Sequence, residues 1–268
     1  MISRAIKVWA FLQRDFLSEV SYRLAFLMQI AAMLLAVTAF FFVSRMIDPD
    51  TPGLREMPPF DFLLVGMAFQ FYFTTALYSF SAKLRNEQLL GTLEAMLVSP
   101  TPTSMVIFSS AAWDFTYGAI RIGVYLLAGT LMFGANLRLD HLGTLLAGVA
   151  LTLFSSAGLG ILSASFILYF KRGDPINFLL SGSTMFLGGV FFPIELLPGW
   201  IRWAANLLPI TWSLRVVRGT LIEGRGLGEL AGDLGVLAAM TAVLLPAGLL
   251  ASRIAIRRAK RDGTLIQY

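Results

Sequence analysis

The chain contains no cysteine and a single histidine, His141. No disulfide, thiolate zinc site or thiol nucleophile is therefore available, and sites built from several imidazoles are excluded. Charge is scarce as well. Asp, Glu, Lys and Arg make up 14 % of the 268 residues, against roughly 25 % in soluble domains. Lysine occurs only as Lys7, Lys83, Lys171 and Lys260, and none follows a glycine. A P-loop needs Gly-x-x-x-x-Gly-Lys-Ser/Thr, because its backbone amides and its lysine hold the phosphates. ATP hydrolysis of that kind has no site in this sequence. Nucleophile elbows, HExxH and paired-histidine motifs are missing too. No metal site and no catalytic residue is expected.

What is present is apolar. Hydrophobic residues make up 57 % of the chain and the mean hydropathy is +0.74, so lipid is the expected solvent for most of it. The net charge of +5 is explained by basic flanks of membrane segments, without nucleic acid as a partner. Arg14, Asp15, Glu19 and Arg23 interrupt the region where a secretory signal would need a continuous apolar core. Residues 2–20 read instead as an amphipathic interfacial helix. Ile2, Ile6, Trp9, Leu12, Phe16 and Val20 share one stripe, and Arg4, Lys7 and Arg14 lie on another face. An ordinary first helix packed on protein is the alternative.

Six runs have the length and apolarity of spans: 24–44, 62–82, 105–134, 142–170, 176–194 and 234–252. The fold class expected is all-α and polytopic, a single transmembrane domain over 1–268. The run at 105–134 is longer than a span requires, so its first part is tilted or lies outside the hydrocarbon core. Between the last two spans, residues 195–229 read as an external re-entrant region. Pro193, Pro198 and Pro209 punctuate it, and Trp200, Trp203 and Trp212 suit a boundary that is half wet. Six spans put both termini on one side. Thirteen of the 21 Lys and Arg lie on the terminal side and seven on the other, which predicts cytoplasmic termini.

Three features inside this frame carry candidate function. Asp114 and Arg121 fall two turns apart on one face of the third span. Asp114 sits near a boundary, or the pair braces neighbouring helices, or Arg121 meets an anionic substrate. Phe69, Tyr72 and Phe73 in the second span line a path for sugars or apolar drugs, or serve as packing. Ser156, Gly160 and Ala164 form a small-residue stripe that favours close helix packing.

Beside the charged pair and the aromatics, the third candidate for function is the stretch 85–102. Leu89, Leu90, Leu93, Met96 and Leu97 make one helical face. Glu87, Gly91 and Glu94 fall at i, i+4 and i+7 on another. Ser99-Pro100-Thr101-Pro102 then stops the helix. The residues alone leave two readings, a solvated acidic loop helix or a docking surface.

The run from Asn86 to Pro100, with Gly91-Thr92-Leu93-Glu94 at its centre, resembles the cytoplasmic signature of ABC-2-type transporter permeases. The order of segments is similar over nearly the whole chain, and Phe191-Phe192-Pro193 and Leu208-Pro209 resemble the outer segment of that family. Asp114 stands where members often carry a basic residue. The resemblance implies the membrane subunit of an ATP-driven exporter in the inner (plasma) membrane of a prokaryote. It implies ABC ATPase subunits docked on the cytoplasmic face, which bind the ATP and Mg, and a second permease copy or homologue. This chain would bind no cofactor of its own. Glu87, Leu90, Gly91, Thr92, Glu94 and Leu97 would form the coupling helix. The cargo implied is a lipid-linked, polysaccharide or drug-like molecule, moved from the cytoplasm or inner leaflet. A secondary transporter driven by an ion gradient is the alternative function, and a membrane scaffold or integral membrane enzyme is a third class.

Overall fold

A computed structural model describes residues 13, 23–55, 57–89, 103–170 and 175–261. The interfacial helix expected at 2–20 lies outside them, apart from residue 13. Eight α-helices occur among the described residues, and no strand. They are α1 (Arg23–Ser44), α2 (Pro59–Leu89), α3 (Thr103–Phe133), α4 (Leu142–Phe170), α5 (Pro175–Leu187), α6 (Gly199–Ala205), α7 (Pro209–Leu221) and α8 (Ala231–Arg261), with a 3₁₀ turn at Ile194–Leu196. Five of these (α1, α2, α3, α4 and α8) are long and apolar enough to cross a membrane.

The segment expected as a span at 176–194 has a different form. It is helical only over the 13 residues of α5, a rise of about 20 Å against a hydrocarbon core of about 30 Å. Gly188 and Gly189 end it. Gly189 adopts φ +78°, the left-handed conformation that closes a helix and that glycine takes without steric cost. The last run, by contrast, extends past its expected boundary at 252. Helix α8 continues unbroken to Arg261. Helix α2 likewise continues past the expected boundary at 82, to Leu89.

Burial ranks the helices. In α2, 83 % of the most apolar window is buried, against 11 % in α1 and 17 % in α8. Helix α2 is therefore the axis of the bundle, and α1 and α8 present Leu27, Leu35, Val243 and Leu250 outward. Its core residues Leu64, Phe69, Phe73 and Leu77 pack with Val37 of α1, Ile122 and Tyr125 of α3, and Ile210, Leu214 and Val217 of α7. Because α2 is enclosed by protein, it can carry Gln70, Ser79 and Ser81 at membrane depth, where polar groups need partners. The loop after α1, the turn between α3 and α4 and the whole region from Gly188 to Leu230 gather at one end, here termed the hairpin end. Arg138 N–H, for example, donates to Leu221 O at 2.7 Å.

Helix α4 is clamped between α2 and α8 by glycines on two faces. A Cβ at Gly160 would stand 2.6 Å from Leu77 O of α2. One at Gly158 would stand 2.7 Å from the Leu244 backbone, and one at Gly248 2.6 Å from Gly158 O. The small-residue stripe read in the sequence thus faces α2, with Ser156 and Ala164 also buried. Such backbone approach is how helices associate when lipid removes the hydrophobic drive between them. Gly160→Leu is expected to force α2 and α4 apart and destabilise the protein by about 1–3 kcal/mol. The thermal midpoint of the detergent-solubilised chain measures this. Gly182→Leu, where an added Cβ meets nothing within 4 Å, is expected to leave the midpoint unchanged.

Candidate functional site

The residues singled out in the sequence are dispersed along α2 and α3. Glu87 falls on the last turn of α2. Leu90, Gly91, Thr92, Glu94 and Leu97 lie outside the described residues. Phe69, Tyr72 and Phe73 are buried in the main core, and none of them lines either of the two cavities at the hairpin end. Tyr72 packs where α3 has Gly118, whose added Cβ would stand 2.9 Å from the ring. Asp114 accepts a hydrogen bond from Ser79 Oγ at 2.5 Å, which ties α3 to α2. Arg121 stays within a tyrosine layer. Its guanidinium lies 5.8 Å from the Tyr117 ring centroid and close to Tyr125, while Tyr117 donates to Gln29 of α1 at 2.5 Å.

Two polar constellations went unnoticed in the sequence. The first is a seam between α2 and α5. Gln70 donates to Thr184 at 3.1 Å, Asn177 donates to Ser81 at 2.9 Å, and Tyr78 reaches Ser181 at 3.5 Å. The three α5 residues fall at i, i+4 and i+7, one face of a helix. That spacing was the available signal, hidden in a run that hydropathy alone reads as a span. The Gln70 Oε1 atom is buried and accepts no hydrogen bond among the described residues.

The second constellation is built on Arg218 of α7, which is 6 % exposed. Its guanidinium donates to Gly189 O at 2.7 Å, to Val190 O at 3.0 Å and to Phe62 O at 3.0 Å. It also lies over the Phe62 ring, 3.4 Å from the centroid. Gly66 provides the space, since a Cβ there would collide with the guanidinium and with Val190 O. Burial pulls the Arg218 pKa down to about 9, with the charge of Glu195 pulling the other way, so the group stays cationic at neutral pH. Three elements meet at this side chain: the start of α2, the turn after α5 and the last turn of α7.

The sequence builds α7 to hold Arg218 there. Pro209 starts the helix at its first turn, where a missing N–H costs nothing. Ile210, Leu214, Val217 and Leu221 then form its buried face. Thr211 Oγ1 donates to Ala205 O and Trp212 Nε1 to Asn206 O, each at 2.8 Å. Those bonds fix the turn from α6, and Thr152 pairs with Ser213 at 2.5 Å to anchor α7 on α4. Below the hairpin opens a cavity of about 560 Å³, lined by Arg55, Glu195, Arg215, Arg218, Glu223 and Asp233 among others. The prolines and tryptophans singled out in the sequence fall in and around α6 and the start of α7. Arg218 itself falls within residues 195–229, where the sequence reading singles out prolines and tryptophans and not this arginine.

Sequence comparison places known proteins beside this geometry. Residues 6–222 match the family described as ABC-2 type transporter. The chain is 23 % identical over 184 residues to ABC transporter G family member 20 of Dictyostelium discoideum, covering 68 % of this chain and 25 % of that protein. It is 26 % identical over 139 residues to the linearmycin resistance permease protein LnrN of Bacillus subtilis (strain 168), covering 52 % of this chain and 36 % of that one. The matches thus span only about a quarter to a third of the length of these two relatives.

Replacing Arg218 separates charge from shape. Arg218→Ala strands three buried carbonyls and is expected to cost at least about 2 kcal/mol, since an unsatisfied buried polar group costs about 1–3 kcal/mol. Arg218→Lys keeps the charge but loses the planar fork, and its thermal midpoint is expected to fall between those of the native chain and the alanine variant. Limited proteolysis at 188–198 is expected to follow the same order.

Proposed function

This chain belongs to the ABC-2 type transporter family, and on that premise we propose that it is the permease subunit of an exporter driven by separate ABC ATPase subunits. The observation that carries the proposal is the single unbroken course of α2 from Pro59 to Leu89. It begins among the carbonyls held by Arg218, runs through the most enclosed part of the bundle and ends at Glu87 and its neighbours. Thirty-one residues of α-helix make a rod of about 46 Å. A push on the segment 87–97 is delivered along that rod to the hairpin end.

In this reading the termini and the segment 85–102 are cytoplasmic, supported by the bias of Lys and Arg. Glu87 and Glu94 accept charge-assisted bonds from basic residues of the ATPase, and Gly91 lets the partner backbone approach. Leu90, Thr92 and Leu97 complete the contact. ATP and Mg are bound by the partner. Closure of two ATPases on a permease dimer shifts α2, loosens the Arg218 clamp and opens the hairpin end to the exterior. The cargo class is lipid-linked, polysaccharide or drug-like. The relatives support that range only through their printed descriptions, one an ABC transporter and the other a resistance permease.

Two measurements test the proposal. Glu94→Arg is expected to abolish stimulation of the ATPase by the permease without lowering the permease's own thermal midpoint, and retained coupling would remove the coupling assignment. A cysteine in place of Gln88 is expected to react with a membrane-impermeant maleimide only after cells are opened, and labelling of intact cells would invert the orientation.

A further inference from the structure

A second cavity, of about 450 Å³, lies where α1 ends and α2 begins. Three phenylalanines from three helices line it. Phe41 and Phe133 stack with centroids 4.5 Å apart, and Phe60 meets them near-perpendicularly at 5.3 and 5.8 Å. Asp61 lines the same cavity and is 3 % exposed. Its carboxylate accepts the Asn136 N–H at 3.3 Å and makes no other hydrogen bond or ion pair among the described residues. Burial of a carboxylate is costly unless the charge is paired. The positive end of α2, on whose first turn Asp61 lies, offsets part of that cost. At the cavity's rim Arg45 is exposed, its guanidinium 4.9 Å from the Phe41 ring centroid rather than paired with Asp61.

The cavity therefore offers an enclosed anion beside aromatic rings, and a cation at its mouth. Ammonium groups are bound by aromatic faces, more strongly when desolvated, and a carboxylate adds charge pairing. Phosphate suits an arginine. The position supplies the rest. Ser44 closes a candidate span and Pro59 opens the next, so the cavity lies at headgroup level. Helix α1 leads away from it with Leu35 and Phe42 exposed by 70 % and 64 %, an apolar surface for acyl chains.

We propose that this cavity binds the headgroup of a zwitterionic phospholipid. Its ammonium lies against Asp61 and the phenylalanines, its phosphate at Arg45, and its chains along α1. An anionic lipid satisfies Arg45 but leaves Asp61 unpaired. Free phosphocholine has both charges but no chains to place on α1. The site does not depend on the transport reading, and its test reads bound lipid, not export.

The test offers the purified full chain equal amounts of phosphatidylethanolamine and phosphatidylglycerol, and counts retained lipid by native mass spectrometry. Phosphatidylethanolamine is expected to be preferred about tenfold, with Asp61→Asn reducing the preference to none. Equal retention of the two lipids by the native chain overturns the proposal, as does an unchanged preference in Asp61→Asn. Excess free phosphocholine is expected not to displace the lipid. Displacement at matched concentration assigns the site to a soluble zwitterion and overturns the lipid reading. Where Asp61→Asn does not fold, the exposed Arg45→Ala decides: severalfold weaker retention of phosphatidylethanolamine supports the site, and unchanged retention overturns it.

Discussion

A helix that ends inside a membrane leaves backbone carbonyls without partners, and hydrocarbon offers them none. Helix α5 ends at Leu187, and the guanidinium of Arg218 takes up carbonyls of the buried turn that follows it. Its planar fork reaches Gly189 O and Val190 O after the end of α5, together with Phe62 O on α2. No other side chain combines five donors with a flat face that stacks on a ring. Once that group is placed, much else is constrained. Gly66 must lack a side chain, α7 must present its polar position inward, and α6 with the 3₁₀ turn must fold back over the cavity. The hairpin end is thus assembled around one buried cation held by dipoles instead of a carboxylate.

The same geometry joins two distant regions. Phe62 lies near the start of α2, and Glu87 lies on its last turn. A central helix wrapped by the others cannot bend freely, because close packing resists local deformation. Movement at one end is therefore shared along its length. The glycine contacts of α4 with α2 and α8 reinforce this, since backbones in direct contact leave no compressible side chain between them. Helix α5 differs. It meets α2 through hydroxyl and amide groups at Gln70, Tyr78 and Ser81, and it leaves Phe178, Leu179 and Phe186 exposed.

Most of the frame was legible in the sequence because the bilayer imposes a coarse, one-dimensional rule. About twenty residues without charge must be a crossing, and the runs at 24–44, 62–82, 142–170 and 234–252 obey it. The rule fails where apolarity and helicity part company. Residues 176–194 carry no charge, yet Gly188 and Gly189 end the helix early, and two adjacent glycines do not register in hydropathy. It fails again where a charge is buried. Arg218 lies in a stretch rich in Arg, Glu and Gly that reads as a wet connection. The apolar spacing of Ile210, Leu214, Val217 and Leu221 was the sign that a packed helix ran beneath it. Asp61 escapes notice for a related reason, standing one residue before the apolar run 62–82. Of the candidate residues, Asp114 bonds to Ser79 between α3 and α2.

Charge therefore marks the working parts of this molecule by the partners it has. Asp114 is bonded across two long helices, Arg121 stays among tyrosines of its own helix, Arg218 is spent on carbonyls, and Asp61 retains one backbone N–H. In a low-dielectric interior these are unequal commitments. A guanidinium satisfied by three carbonyls has little to gain from a ligand and serves to hold the chain together. A carboxylate with one bond, walled by aromatic rings and open to a cavity, gains most from a cation that arrives from outside. The inequality separates the device that shapes the hairpin end from the place where that end meets its lipid surroundings.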